Sequence, residues 1–467
     1  MHEAPEKRPR AVLVGVQLPD VDERDHRLSL AELARLVHTL GYDVVGTVTQ
    51  RRSHLAASAV VGEGKLHELA RYTGGTGVVP PPVKARKRKV DAVDEDPEEL
   101  VPDEVSEPDD DGHDDGEAAE AAGDVTVVAV DHDLSPTQVR NLEQATGAEV
   151  LDRTSVILEI FSRHARSREA RLQVEIARLG YLAPRLRETG GGDRVRGGIG
   201  GKGAGESAVE LDRRRIRDRI AELREELAAV AREQDTRRAR RQRQARVALV
   251  GYTNAGKSSL MRALTGSEVY VADKLFATLD TTVRALHPES HPRVLVSDTV
   301  GFIKKLPHDL VASFRSTLDE AREASLVLHV VDGSDPDAAA QLEVTRAVLA
   351  EIGAGDIDAR LVFNKRDQMT AEQLAAVTRE HPEALQVSAR DPADVARLRA
   401  YILGFFDADM VDGEVLVPYG AKGVIAEVHR DAKVLEETYD ERGATFRVRA
   451  TPDVLARLQS LAARGAG

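Results

Sequence analysis

The chain of 467 residues contains no cysteine and no tryptophan, and only 3% of it is aromatic. Without thiols there is neither a disulfide framework nor a thiolate metal site, so a reducing cytoplasm is the expected location. No apolar run approaches the roughly 18 residues of a membrane-spanning helix, and Met1-His-Glu-Ala-Pro5 carries no signal-peptide pattern. A soluble monomer with no membrane span is expected, its association with membranes at most transient. Positive charge is missing over one stretch as well: Asp91 to Asp124 holds 17 Asp and Glu and no Lys or Arg. The net charge of −14 speaks against a nucleic-acid partner only until that stretch is set aside, which leaves +3 on the rest. The stretch is rich in Asp, Glu, Pro, Gly and Ala, and cannot bury enough apolar surface to order itself. With the basic run Lys84-Ala-Arg-Lys-Arg-Lys89 before it, residues 84–124 read as a disordered insert.

What is present is a phosphate loop. Gly251, Tyr252, Thr253, Asn254, Ala255, Gly256, Lys257 and Ser258 match G-x-x-x-x-G-K-[ST] at every fixed position. The apolar run Val247-Ala-Leu-Val250 precedes it and Ser259-Leu-Met-Arg-Ala-Leu-Thr265 follows, so the loop leads from a buried strand into a helix N-terminus. In such a loop the backbone amides surround the β-phosphate, Lys257 reaches the β- and γ-phosphates, and the Ser258 hydroxyl is placed for Mg²⁺. A second strand, His291 to Asp298, ends in Asp298, Thr299, Val300 and Gly301. There Asp298 can hold Mg²⁺ through a water and the Gly301 amide can bond the γ-phosphate.

The base is read from Asn364, Lys365, Arg366 and Asp367. A carboxylate in that position accepts from guanine N1 and the exocyclic amine, a donor pair that adenine lacks. Ser388, Ala389 and Arg390 complete the set, and the motifs follow one another at the intervals of a small GTPase. GTP or GDP with Mg²⁺ is therefore the expected ligand. Between the phosphate loop and Asp298 lies a switch segment, Phe276, Ala277, Thr278, Leu279 and Asp280, followed by Thr281 and Thr282. Any of its three threonines is chemically able to complete the Mg²⁺ shell. Phe302 stands after Gly301, where a Ras-like protein places the glutamine that orients the attacking water. Its ring is either a packed hydrophobe or a gate. In both cases it cannot hydrogen-bond water, so hydrolysis is expected to be slow until a partner orders the switches.

Around this centre the pattern is α/β. Ala11–Val16, Asp43–Val48 and Val125–Val130 read as strands, Leu28–Leu40 as a helix, and another helix opens near Ser135-Pro136. Gly62-Glu-Gly-Lys65 lacks the Ser or Thr of a second phosphate loop and reads as a turn into a helix. Residues 154–189 and 206–245 read as two long helices joined by a glycine-rich tip, 190–205, that carries Arg194, Arg196 and Lys202. In the second, Ile216, Ile220, Leu223, Leu227 and Val230 form a coiled-coil seam, which implies an antiparallel hairpin. Its end, Arg237 to Arg246, holds six arginines and no acid. Crowded guanidiniums repel unless an anion is near, so this end and the tip are expected to contact RNA phosphates. Strands over Glu414–Tyr419 and Ala444–Arg449, with helices over Lys422–Glu436 and Asp453–Ala463, suggest a small C-terminal α/β module. The expected division is an N-terminal α/β part (1–153), the helical hairpin (154–245), a central P-loop GTPase domain (246–408) and the C-terminal module (409–467).

The sequence resembles the HflX family of translational GTPases along nearly its whole length. The resemblance rests on Leu134-Ser-Pro-Thr-Gln-Val-Arg-Asn-Leu-Glu143, Asp152-Arg153, Leu172-Gln-Val-Glu-Ile-Ala-Arg-Leu179, Gly197-Gly-Ile-Gly200, Gly205-Glu206 and Asp212-Arg-Arg214. The forms Phe276-Ala-Thr-Leu-Asp280 and Asp298-Thr-Val-Gly-Phe302 are similar to the family's own. The resemblance implies that Thr278 is the switch threonine, joining Ser258 at the metal and Lys257 and Gly301 in catalysis. It implies a cytoplasmic GTPase that binds the large ribosomal subunit and its ribosomal RNA and splits stalled ribosomes under stress. The hairpin would then carry the tip towards the peptidyl transferase centre. Two departures stand out: the insert is longer than the family usually carries, and Gly203-Ala-Gly-Glu206 replaces a favoured Gly-Pro-Gly-Glu. Two other readings make different predictions. An ATP-dependent RNA remodelling enzyme would keep hydrolysing ATP after Lys257→Ala, and a coiled-coil scaffold with a structural GTP would never turn it over.

Overall fold

The computed structural model describes residues 8–80, 123–186, 208–241, 245–267, 275–305 and 315–464. The basic run 84–89, the insert up to residue 122, the tip 190–205 and Arg243 lie outside the described residues. Among the described residues no helix is long and apolar enough to cross a membrane. The chain packs as two units, one of residues 1–160 with 184–187, the other of 161–183 with 188–467.

The first unit is built from β1 (Arg10–Gln17), α1 (Glu23–Thr39), β2 (Asp43–Arg51), α2 (Glu63–Thr73), β3 (Val125–Val130), α3 (Pro136–Thr146), β4 (Glu149–Asp152) and the start of α4 (Arg153–His164). Its four strands are parallel in the order β2-β1-β3-β4. Valines on these strands meet Leu66 and Leu69 of α2 and Leu142 of α3 in one core. The helix opening at Ser135-Pro136 is a capping box: Ser135 accepts from the Gln138 amide, and the Gln138 side chain accepts from the Ser135 amide. Gly62 caps α2, so Gly62-Glu-Gly-Lys65 is the turn into a helix read from the sequence. At the strand ends Arg153 is 2% exposed and sits between Glu32 and Asp131, 2.6 Å from the latter. Arg185 donates to Leu134 O and Asp152, which attaches the turn at Arg185 to this unit.

In the second unit α5 (Arg168–Leu182) packs on α6 (Ala208–Arg241) through Leu172, Ile176 and Leu179 against Ile220, Leu223, Leu227 and Val230. A six-stranded sheet follows. It is formed by β5 (Ala245–Gly251), β6 (Thr282–Ala285), β7 (Val294–Asp298), β8 (Leu326–Asp332), β9 (Ala359–Asn364) and β10 (Leu385–Gln386). Their order is β10-β9-β8-β5-β7-β6, and only β6 runs antiparallel. Its helices are α7 (Lys257–Thr265), α8 (Arg315–Arg322), α9 (Ala338–Glu351), α10 (Ala371–Glu380) and α11 (Pro392–Asp407). The central strands are buried on both faces and read as continuous apolar runs, as parallel strands under helices do. The chain closes with β11 (Val411–Val417), α12 (Lys422–Asp431), β12 (Lys433–Asp440), β13 (Gly443–Ala450) and α13 (Pro452–Arg464). These strands form an antiparallel sheet β11-β13-β12 around Phe446 and Val448, with Val428 and Leu458 from the helices.

Three expectations need correction. The helix expected over 154–189 is broken at 165–167, where Ser167 caps α5 by accepting from the Ala170 amide at 3.0 Å. The helix expected over 422–436 stops at Asp431, because Lys433 to Asp440 pair with β13 as a strand. The second long helix ends at Arg241. Ala245 and Arg246 already belong to β5, and Arg246 is ion-paired to Glu323 at 2.5 Å, so it is not one of a set of uncompensated arginines.

Candidate nucleotide site

The expected phosphate loop lies between β5 and α7, at the C-terminal ends of the parallel strands. Gly256 stands just before α7 with φ +88°, and a Cβ there would lie 2.2 Å from Asn364 Nδ2, so only glycine fits. Lys257 is buried and donates to Gly251 O at 3.0 Å and Tyr252 O at 2.9 Å. Its ammonium is thereby folded over the loop that would surround a phosphate. Burial lowers its pKa to about 8, against the opposing pull of Asp298.

Three groups from separate segments meet beside it. Ser258 Oγ lies 2.6 Å from Asp298 Oδ2 and 2.8 Å from Thr278 Oγ1. A serine hydroxyl has one proton, so Ser258 donates to Asp298 and accepts from Thr278. Thr282 instead opens β6, where its backbone stands opposite Asp298 of β7. Burial pushes the Asp298 carboxyl up, while Lys257, Ser258 and Thr278 pull it down. Its second oxygen, Oδ1, is buried with no hydrogen-bond partner among the described residues. A buried carboxylate with a free oxygen and two hydroxyls alongside fits a hydrated divalent cation well, since Mg²⁺ takes oxygen ligands and keeps several waters.

The strand end after Asp298 presses onto the phosphate loop. A Cβ on Gly301 would lie 2.6 Å from Thr253 Cα. Beyond it, the Phe302 amide donates to Gly251 O at 3.1 Å and the Thr253 amide to Phe302 O at 2.7 Å. Phe302 is 2% exposed, packed at the end of the strand. Thr299 turns its hydroxyl onto Leu249 O at 2.8 Å, and Val300 and Leu279 are buried. The Phe276 amide donates to Thr253 Oγ1 at 2.9 Å. The Asp280 carboxylate is bonded instead to the backbone amides of Arg166 and Ser167.

On the base side Asn364 is 1% exposed. Its Nδ2 donates to Ala255 O at 2.9 Å and its Oδ1 accepts from the Ala389 amide at 3.2 Å, which joins three expected motifs through one amide. Asp367 accepts from Ser388 Oγ at 2.6 Å, and Arg390 lies 3.8 Å from its other oxygen. Lys365, at φ +59°, reaches Asp332 at 2.6 Å. Arg366 points away to Asp394 at 3.0 Å. Twelve of the expected residues line a single cleft: Thr253, Asn254, Gly256, Lys257, Ser258, Phe276, Ala277, Thr278, Thr299, Gly301, Lys365 and Arg390. Ser259 and Gln368 line it too and were not read from the sequence. Neither were Asp332, at the end of β8, and Asp394, which is buried and holds the Ser388 amide at 2.9 Å. The one available sign was position, an acid closing an apolar strand and an acid in the first turn of a helix.

Known proteins are similar to this chain in sequence over nearly its whole length. Residues 27–79 and 116–162 match the model of the GTP-binding GTPase N-terminal family, and 164–241 that of the GTP-binding GTPase middle region. Residues 246–365 match the 50S ribosome-binding GTPase family. The GTPase HflX of Gluconacetobacter diazotrophicus is 59% identical over 463 residues, 98% of each chain. The chain belongs to the HflX family of GTPases. The HflX protein of Caldanaerobacter subterraneus is 36% identical, covering 98% of this chain and 95% of its own. That of Escherichia coli K12 is 43% identical over 364 residues, covering 77% and 74%. An N-terminal region, a middle region and a GTPase domain thus follow in the order of the HflX family.

Proposed function

We propose that this chain is a Mg²⁺-dependent GTPase that binds the large ribosomal subunit through its ribosomal RNA, splits stalled ribosomes under stress, and is stimulated by the ribosome. The observation that carries the reading is the convergence of Ser258, Thr278 and Asp298 at the phosphate loop; Asp367, bonded to Ser388, supports guanine as the base. In this reading Lys257 and the amides of Gly251 to Ser258 hold the phosphates, Ser258 and Thr278 ligate the cation, and the Gly301 amide meets the γ-phosphate. Mg²⁺, when bound, supplies positive charge to the β- and γ-phosphoryl oxygens. Asn364 holds the loops around the base, Asp367 selects guanine, and Ser388, Ala389 and Arg390 close over it.

Phe302 is buried and offers no group to orient water, so hydrolysis awaits a partner. The ribosome-binding part of the reading is supported by the family's description and by the arginine run after Gln234 in α6. The ion pairs Arg168–Glu226 and Arg219–Glu175 run in opposite senses along α5 and α6, which supports an antiparallel hairpin of these two helices within the proposed part 154–245. The parts 1–153, 246–408 and 409–467 complete the proposed division. Purified large subunits should raise the GTP hydrolysis rate far above that of the isolated protein. An unchanged rate at low salt, where phosphate contacts are strongest, overturns the proposal.

A further inference from the structure

The switch segment touches more than the nucleotide cleft. Two residues after Thr278, the Asp280 carboxylate accepts from the amides of Arg166 at 3.2 Å and Ser167 at 3.1 Å, and from the Ser167 hydroxyl. Two residues before Thr278, the Phe276 ring meets Phe161 edge-to-face at a centroid separation of 4.6 Å. Phe161 and Ser167 lie on either side of the break between α4 and α5. The segment is thus fastened to the root of α5 on both sides of the threonine that reaches Ser258. The Asp280 contact is favourable in its own right, because a carboxylate at a helix N-terminus satisfies orphan amides and meets the positive end of the helix dipole. Ser167 carries both functions at once, as its hydroxyl donates to Asp280 and accepts from the Ala170 amide.

We infer that Asp280 is a positioning residue: by binding the N-terminus of α5 it holds Thr278 at the cation site, and so couples γ-phosphate occupancy to the setting of the α5–α6 arm. This rests on the GTPase reading above. When the γ-phosphate is present, Thr278 is held from the nucleotide side and Asp280 stays on the α5 cap. When it is absent, Thr278 loses that hold and the cap loosens. Linkage makes the coupling reciprocal, so whatever fixes α5 also favours the triphosphate state.

The test is amide hydrogen exchange at Arg166, Ser167 and Ala170, with GDP and with a non-hydrolysable GTP analogue, each with Mg²⁺. Affinities for the two nucleotides are measured in parallel on wild type, Asp280→Ala, Ser167→Ala and the double variant. In wild type these amides should exchange more slowly with the analogue. Each single change should abolish that difference and lower the ratio of analogue to GDP affinity about tenfold, the loss of one charge-assisted contact. The double change should do no more than either alone, and Asp280→Glu should restore part of the ratio. Additive losses, or wild-type amides that exchange alike with both nucleotides, overturn the inference, and the second result needs no variant to fold. Failure of wild type to bind guanine nucleotides at all marks instead the failure of the GTPase reading, and the inference falls with it.

Discussion

Asn364 shows how much of the site was legible in the sequence and where legibility ended. Its motif was read as a base-recognition element, yet the structure uses its amide to join the phosphate loop to Ala389, a contact across more than a hundred residues. Local motifs announce themselves because glycine, lysine and carboxylate must stand at fixed spacing. Their supports, such as Asp332 beneath Lys365 and Asp394 behind Ser388, are acids in unremarkable contexts until the fold brings them close. Asp367→Asn should lower GTP affinity about a hundredfold or more by removing two charge-assisted bonds to guanine. Xanthosine triphosphate, whose C2 carbonyl accepts from an asparagine amide, should bind the variant better than GTP does. Competition binding checks this, and an unchanged preference for guanine contradicts it. His329 offers a pH test away from the cleft. Burial, with help from Arg346, lowers its pKa from 6.5 to about 4. Unfolding therefore takes up a proton between those values, so its contribution to stability is present above pH 6.5 and is lost as pH falls towards 4. The full effect is about 3 kcal/mol. Melting temperatures of His329→Gln should fall less steeply over that range than those of wild type, and parallel profiles would falsify the assignment.

Elements were legible where burial forces a pattern. β5, β7 and the seam of α6 are apolar runs or heptads that tolerate few other structures. The break at 165–167 was not legible, because no glycine or proline marks it. What holds it open is Ser167 capping α5 and Asp280 binding from far along the chain. β12 was misread for a related reason: seven of its eight residues are exposed, so its one strong cue is pairing with β13. Leu223 is fully buried between α5 and α6. Leu223→Ala should destabilise that pairing by about 2–4 kcal/mol, seen as faster amide exchange in both helices with the sheet of the GTPase domain unaffected. Unchanged exchange there contradicts the packing of the two helices as a pair.

For the molecule as a whole, charge and nucleotide chemistry point to the same partner. The net excess of acid lies in one insert, and the remaining residues are slightly basic. A protein that holds ribosomal RNA through arginine contacts should bind large subunits progressively more weakly as salt rises. Family membership was legible from motifs spread over nearly the whole length, and similarity over 98% of a relative's chain agrees with it. The division into two packing units was not, since the first boundary falls inside α4, where the sequence pattern continues. The central claim is that the triphosphate state separates ribosomes, and its most direct test is a sucrose-gradient profile of intact ribosomes incubated with the protein and a non-hydrolysable GTP analogue. Loss of the intact-ribosome peak, gain of both subunits and migration of the protein with the large one are expected, with none of this when GDP is supplied. Intact ribosomes that sediment unchanged, with the protein left at the top of the gradient under both nucleotides, would contradict it.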